Sequence, residues 1–352
     1  MDKMFEFQTQ LESGKLRCDI CPRFCELNDG QRGLCFVRQN IDQNIVCTTY
    51  GRSSGFCIDP IEKKPLYHYY PGSSILSFGT AGCNLSCKFC QNWDMSRARM
   101  MEILQSEVTP EDIAKSAISN QCRSVAFTYN DPIIFYEYAI DTALACREED
   151  INSVAVTAGY INPEPAIEFF RVMDAVNIDL KGFTEHFYQK LCGGSLKPIL
   201  EILEYLVNKT DTWVEITTLL IPDENDSEKE IRSQCEWIIE NLGSNVPLHF
   251  SAFHPDYKMM GKSPTPISTL NHARTIATDC GIKYIYLGNV KHVDGFNTTC
   301  NDCGNILIER NGYTISNWSL NDSKCKRCGT ACPGQFNSVA DSWGNRYTRV
   351  SF

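Results

Sequence analysis

No apolar run in this 352-residue chain approaches the roughly 18 residues that a membrane-spanning helix requires, so no membrane association is expected. The opening stretch MDKMFEFQTQLESGK carries acidic residues and no small-residue cleavage site, so a secretory signal is not expected and a cytoplasmic location is. Basic charge is not in excess either: 33 Lys and Arg against 43 Asp and Glu leave a formal net charge of −10. Because phosphate neutralisation normally draws on a basic surface, that balance argues against a nucleic-acid partner. Low-complexity tracts are lacking, and no repeat goes beyond an alternation of strand and helix.

Size and cysteine are what the chain has. Its length is enough to bury a sizeable core, and 43% hydrophobic with 22% charged residues is the balance of a soluble globular protein. Nineteen cysteines stand out, in a chain long enough to need no disulfide staples. Twelve fall into three groups, at Cys18–Cys35, Cys83–Cys90 and Cys300–Cys332, and metal binding explains such grouping better than disulfide pairing does. The other seven sit singly and read as small buried hydrophobes.

From about Ser73 onward, strand-like runs alternate with helical stretches. The strand candidates are SILSFG (74–79), SVAFTY (124–129), SVAVT (153–157), AVNIDL (175–180), WVEITTL (213–219), LHFSAF (248–253) and KYIYLG (283–288). Their spacing is mostly about 30 residues, one βα unit. Thr109-Pro110-Glu111, Asn162-Pro163-Glu164, Thr265-Pro266 and Asp226-Ser227-Glu228 carry helix-start signals, the last opening a helix that ends near Asn241. Such alternation implies an α/β fold with a parallel sheet, here a partial (β/α)6-type barrel with chemistry at the C-terminal strand ends. The expected division is a cysteine-rich N-terminal extension (1–72), a barrel core (73–290) and a zinc-ribbon-like C-terminal extension (291–352) with a hairpin over Ile306–Ile315 turning at Asn311-Gly312.

The central group lies directly after the first barrel strand, in Gly79-Thr80-Ala81-Gly82-Cys83-Asn84-Leu85-Ser86-Cys87-Lys88-Phe89-Cys90-Gln91-Asn92. Three thiolates at this spacing can hold one face of a cubane cluster and leave the fourth iron without a protein ligand. A structural zinc usually takes four ligands, and this loop offers three. The CxxxCxxC loop, with aromatic Phe89 before its last cysteine, resembles the signature of radical S-adenosylmethionine (SAM) enzymes. The chain around it is similar to glycyl-radical-enzyme activases of the pyruvate formate-lyase type, and more closely to the AmmeMemoRadiSam system radical SAM proteins, a likeness that includes both flanks. The resemblance implies a [4Fe–4S] cluster at Cys83, Cys87 and Cys90, and SAM chelated to the open iron and cleaved reductively. It also implies hydrogen abstraction from a substrate, which in the activases is a protein residue. An oxygen-sensitive enzyme with a low-potential electron donor, flavodoxin or ferredoxin, is the corresponding expectation.

The same resemblance suggests the residues around the cofactor. Phe89 and Asn92 belong to the cluster loop. Asn130 and Asp131, in Thr128-Tyr129-Asn130-Asp131-Pro132, stand where activases carry a GGEP-like turn for the SAM amino group, with Tyr129 and Asn130 in place of the glycines. Thr157 ends the third strand, where the activases have a TNG segment. His254, after the sixth strand, matches a SAM-contacting histidine. Asp179 and Lys181 share one face of a strand end, and an apolar strand buries such a pair only where the two charges meet each other or a ligand. The activases have the same Asp-Leu-Lys near substrate and nucleoside, so both are taken as catalytic candidates. Thr217 occupies the position of an activase arginine, with Glu215 nearby.

Cys300, Cys303, Cys325 and Cys328 form two CxxC pairs 21 residues apart, slightly beyond the about 15–20 of a zinc ribbon. A structural zinc is expected there, with rubredoxin-like iron or an auxiliary cluster using Cys332 as alternatives. Cys18, Cys21, Cys25 and Cys35 fit neither a zinc ribbon nor a ferredoxin run well; zinc is favoured over a second cluster, and disulfides least. The competing function is a zinc-stabilised adaptor or nucleic-acid-binding module without catalysis, which the acidic balance and the strand-end series oppose.

Overall fold

The computed structural model describes residues 6–98, 106–290 and 294–352. Its main sheet contains β1 (Phe56–Pro60), β2 (Ser74–Phe78), β3 (Ser124–Phe127), β4 (Asn152–Thr157), β5 (Ala175–Asp179), β6 (Trp213–Leu220), β7 (Leu248–Ala252), β8 (Ile285–Gly288) and β9 (Thr348–Val350). The spatial order is β8-β7-β6-β5-β4-β3-β2-β1-β9. Strands β2 to β8 run parallel in chain order, each beside its predecessor, the arrangement expected of a partial barrel. Each expected strand is present, shorter or longer by one or two residues.

The strands read as near-continuous apolar runs because both faces are covered. Every residue of β2 and β3 is buried. Helices α1 (Pro110–Ser119), α2 (Tyr136–Glu148), α3 (Pro163–Arg171), α4 (Lys197–Lys209), α5 (Glu228–Asn241) and α6 (Ile267–Asp279) fall between them. The shared core joins Phe78, Phe127, Ile178 and Phe250 of the strands to Phe169, Leu203 and Ile238 of the helices. Each such burial stabilises the fold by about 1.5–3 kcal/mol.

Two helix starts follow the expected chemistry: Thr109 Oγ1 accepts the Asp112 amide at 3.2 Å, and Ser227 Oγ accepts that of Glu230 at 3.3 Å. Two do not. Asn162 precedes α3 without capping it; its Nδ2 donates to the Asp19 carbonyl at 2.7 Å and its backbone N–H to that of Ile20, which fastens the N-terminal segment to the barrel. Thr265 donates to the Leu220 carbonyl and accepts the Phe253 amide, tying two strand ends together, so α6 begins two residues later.

The flanks are woven into this body. From the N-terminal flank, β1 pairs antiparallel with β2, and the C-terminal β9 pairs antiparallel with β1. Near the N-terminal ends of β6 to β8, Glu215 is fully buried and accepts from the amides of Tyr67 and His68 (3.0 and 2.7 Å), from Trp213 Nε1 (3.0 Å) and from His249 Nε2 (2.7 Å). His68 continues the network to Tyr286 Oη at 2.6 Å and to the Pro333 carbonyl at 2.7 Å, so one carboxylate joins barrel and both flanks. Glu215 is therefore a structural hub, on the same face of β6 as Thr217 but nearer the N-terminal end of that strand. The C-terminal hairpin forms over Ile306–Asn311 and Thr314–Trp318, turning at Gly312-Tyr313, one residue later than expected. No helix among the described residues is long and apolar enough to cross a membrane.

Glu215→Ala leaves four buried donors without their acceptor, and removing one partner of such a network costs about 3–5 kcal/mol. Urea denaturation is expected to show that loss; an unchanged midpoint contradicts the hub.

Candidate active site

The loop after β2 cannot continue the sheet, because its cysteines must turn inward, and its backbone polar groups therefore find side-chain partners. Asn130 supplies two: Oδ1 accepts the Thr80 amide at 3.1 Å and Nδ2 donates to the Gly82 carbonyl at 2.9 Å. Asn84 Nδ2 donates to the Tyr160 carbonyl at 2.8 Å. The amides of Ser86 and Lys88 donate to the carbonyls of Cys192 and Leu191. Gly82 has φ +85°, and a methyl there would collide with the Cys35 carbonyl.

So held, Cys83, Cys87 and Cys90 line a cavity of about 310 Å³ at the C-terminal strand ends. The same cavity is lined by Phe89, Asn92, Asn130, Asp131, Thr157, Asp179, Lys181 and Thr217, which brings together the residues named around the central cysteines except Glu215 and His254. Glu215 lies in the network described above, and His254 is exposed in the loop after β7.

Asp131 and Asn130 are each held by three side-chain hydrogen bonds. Asp131 Oδ1 accepts from Thr157 Oγ1 (2.8 Å) and the Ile133 amide (3.2 Å), and its Oδ2 from the Ala158 amide (3.0 Å). Burial raises its pKa, with these donors pulling the other way. A carboxylate offers about four acceptor positions, so one remains for a cationic ligand. Lys181 Nζ lies 3.0 Å from Asp179 Oδ2. Burial opposes the lysine charge, but Asp179 and then Cys87 outweigh it and raise its pKa. Of the three thiols, Cys87 is pulled down to about 7, first by its hydrogen bond with Cys192, against burial and with help from Lys181. Burial pushes Cys83 up to about 12. A buried cation beside the central thiol offsets part of the negative charge that a thiolate-ligated centre gathers.

Several wall residues were not singled out from the sequence. Tyr129 sits at φ +70°, the left-handed region that a glycine enters freely and a bulky residue occupies at a cost of order 1–3 kcal/mol. Its hydroxyl meets Cys57 Sγ at 2.5 Å and Asp59 Oδ2 at 3.1 Å. Burial works against the Asp59 charge, but Lys64 (2.8 Å) and Lys63 (3.1 Å) outweigh it and hold the carboxyl at about 2. Lys63 and Pro65 line the cavity, so the N-terminal flank supplies part of its wall. The place of Asp59 and Lys63 beside the cavity depends on β1 pairing with β2, which spacing along the chain does not announce.

At the C-terminus, Cys300, Cys303, Cys325 and Cys328 bring their sulfurs within 4.8 Å of one another, and could hold a metal ion. Cys300 and Cys328 are 3.5 Å apart, Cys303 and Cys325 3.7 Å. Against burial, the amides of Cys328 and Arg327 pull Cys325 down to about 6. Cys332 is outside the set, 3.8 Å from His68 Nδ1. In the N-terminal segment Cys18, Cys21, Cys25 and Cys35 line a second, smaller cavity.

Residues 78–235 match the Radical SAM superfamily. An uncharacterized protein of Methanocaldococcus jannaschii is 42% identical over 325 residues, 92% of this chain and 96% of the relative. The pyruvate formate-lyase-activating enzyme of Clostridium pasteurianum is 25% identical over 184 residues, 49% of this chain and 72% of that enzyme. A solved domain of pyruvate-formate lyase-activating enzyme from Bacteroides vulgatus superposes with a TM-score of 0.42 at 22% identity, covering 47% of this chain and 99% of the domain.

Asp131→Ala strands the Thr157 hydroxyl and two buried amides, each costing about 1–3 kcal/mol when unsatisfied. A lowered denaturation midpoint is expected, with most of it recovered in Asp131→Asn; equal stability of Asp131→Ala and the parent contradicts this bonding.

Proposed function

Because the chain belongs to the radical SAM superfamily, we propose that it cleaves SAM reductively at a [4Fe–4S] cluster on Cys83, Cys87 and Cys90 and abstracts hydrogen from a protein residue. The observation that carries this reading is the donor set: among the described residues, Cys83, Cys87 and Cys90 are the cysteines lining a cavity that also presents Asp131, Thr157, Asp179 and Lys181, while Cys192, hydrogen-bonded to Cys87, stays behind its wall. Three protein ligands suit a cubane with one open iron, and among the described residues no three of these donors lie within the 4.8 Å that spans the C-terminal set. When bound, the cluster and SAM supply a low-potential electron and a 5′-deoxyadenosyl radical.

The remaining work falls to the side chains. Asp131, with its spare acceptor position, takes the ammonium of the methionyl group, and Thr157 fixes the carboxylate orientation. Phe89, buried at 4% exposure, excludes water beside the thiols. Asn130 and Asn92 act one step back by holding the loop and the Tyr129 carbonyl, the latter at 2.8 Å. Lys181 balances charge at Cys87, while Asp179, 35% exposed at its side chain, faces nucleoside and substrate. Residues 73–290 make this catalytic body, 1–72 complete its wall, and 291–352 carry a structural metal. The C-terminal sulfur separations of 3.5 and 3.7 Å suit zinc, whose tetrahedral bonds of about 2.3 Å place sulfurs roughly 3.8 Å apart.

A protein substrate is supported by relatives named as activating enzymes, for pyruvate formate-lyase and for 4-hydroxyphenylacetate decarboxylase. The electron comes from a flavodoxin- or ferredoxin-type donor in an oxygen-poor cytoplasm. The acidic net charge of −10 speaks against a nucleic-acid substrate.

Anaerobic protein given SAM and dithionite should form 5′-deoxyadenosine, and Cys87→Ala should lose this while keeping its zinc. Undiminished cleavage in that variant overturns the reading. Cys303→Ser should lower zinc by one ion per chain; an unchanged zinc content removes the C-terminal assignment.

A further inference from the structure

Cys18, Cys21, Cys25 and Cys35 come from two separate turns, yet all four line one cavity with Arg23, Arg38 and Asn84. Cys18 and Cys35 are buried in the main core, and Cys21 and Cys25 pack against it. Among the described residues, the C-terminal set is the one whose metal-ligating atoms all lie within 4.8 Å of one another. No three of the N-terminal sulfurs, and no three of the central ones, lie that close together, although the cavity the N-terminal thiols line is much smaller than the central one. A single tetrahedral ion with bonds of about 2.3 Å draws its sulfurs to roughly 3.8 Å, whereas a cubane carries its cysteines on four separate irons and holds them farther apart.

The wall of this cavity also asks for an acceptor. Arg23 Nε donates to the Asn84 carbonyl at 2.8 Å, but its Nη2 is buried without a hydrogen-bond partner. Buried donors are normally satisfied, and although Nη2 also lies on the side of Gly193, a sulfur ligand in the cavity that Arg23 lines is one acceptor within this wall. Arg38 brings a second buried guanidinium, held by Glu137 at 2.5 and 2.6 Å, so cationic groups flank the four sulfurs.

The two cysteine loops touch on both sides of Cys83, once backbone to backbone and once through the Arg23 side chain. The Cys35 carbonyl abuts Gly82, and Arg23 grips the carbonyl of Asn84. Four protein ligands leave no open iron, so such a centre cannot hold SAM, and electron transfer is the chemistry left to it.

We propose that Cys18, Cys21, Cys25 and Cys35 hold a second [4Fe–4S] cluster, ligated wholly by protein, that passes single electrons to the site at Cys83, Cys87 and Cys90. Its electron acceptor rests on the function proposed above; its metal content does not. In each transfer the N-terminal cluster is oxidised by one electron and the central one reduced by one. A low-potential one-electron protein donor of the flavodoxin type then restores the first.

The full chain carrying Cys83→Ala, Cys87→Ala and Cys90→Ala together, reconstituted anaerobically with iron and sulfide, isolates the N-terminal site. The expected result is about four irons and four sulfides per chain, a paramagnetic signal on one-electron reduction, and one zinc. Zinc at two per chain without iron, or no metal beyond the C-terminal ion, overturns the proposal. If the triple variant fails to fold, Cys21→Ser in the otherwise intact chain should lose about four irons relative to the parent; equal iron overturns it. In Cys21→Ser, reduction of the remaining cluster by flavodoxin, followed by electron paramagnetic resonance, should slow several-fold, and an unchanged rate rejects the relay. Loss of SAM cleavage by the parent chain would sink the central assignment without touching the iron count of the triple variant.

Discussion

Three thiols must be presented from a loop that belongs to no sheet, at the edge of a cavity, and most of the polar structure nearby exists to meet that requirement. Asn130 closes the first turn of the loop, Asn84 anchors it to the carbonyl beyond β4, and the carbonyls of Leu191 and Cys192 receive two of its amides. Each bond contributes a modest net amount, about 0.5–1.5 kcal/mol, but together they fix which way the sulfurs face. Were the loop free to relax, the thiols would turn to solvent and the cavity would lose its donors. The parallel sheet matters to function chiefly because it brings strand ends β3, β4 and β5 around that loop.

The barrel was legible because its information is local. Apolar runs at βα spacing identify strands whatever the rest of the chain does, and the CxxxCxxC loop with Asp131, Thr157, Asp179 and Lys181 at successive strand ends follows from their order. What was not legible is non-local. Nothing in residues 56–60 announces pairing with β2, nor in 348–350 pairing with β1. Asn162 and Thr265 carry the composition of helix caps, yet tertiary partners outbid the helix for their side chains. Glu215 was named only as lying near Thr217; two residues earlier on the same strand, it bonds the amides of Tyr67 and His68. Tyr129 read as a loss of glycine, whereas the backbone keeps the left-handed turn and the side chain reaches Cys57 and Asp59.

The cysteine groups show why spacing along the chain underdetermines chemistry and spacing in space does not. Two CxxC pairs separated by more residues than a typical ribbon still draw four sulfurs within 4.8 Å. The central and N-terminal groups have shorter intervals in the sequence, yet no three of their sulfurs come that close, and both line cavities. A single ion and a cubane ask for different separations, and the proposals made above for the three groups follow that difference. Coupling of the flanks to the barrel through Glu215 and β1 gives both outer groups fixed positions relative to the site, which independent, tethered modules would not have.

Electron paramagnetic resonance of the anaerobically reduced protein, recorded with and without SAM labelled at its amino nitrogen, tests the central claim most directly. An open iron at Cys83, Cys87 and Cys90 predicts a changed cluster signal and resolvable coupling to the labelled nitrogen on SAM addition. Spectra that are identical with and without SAM would contradict it.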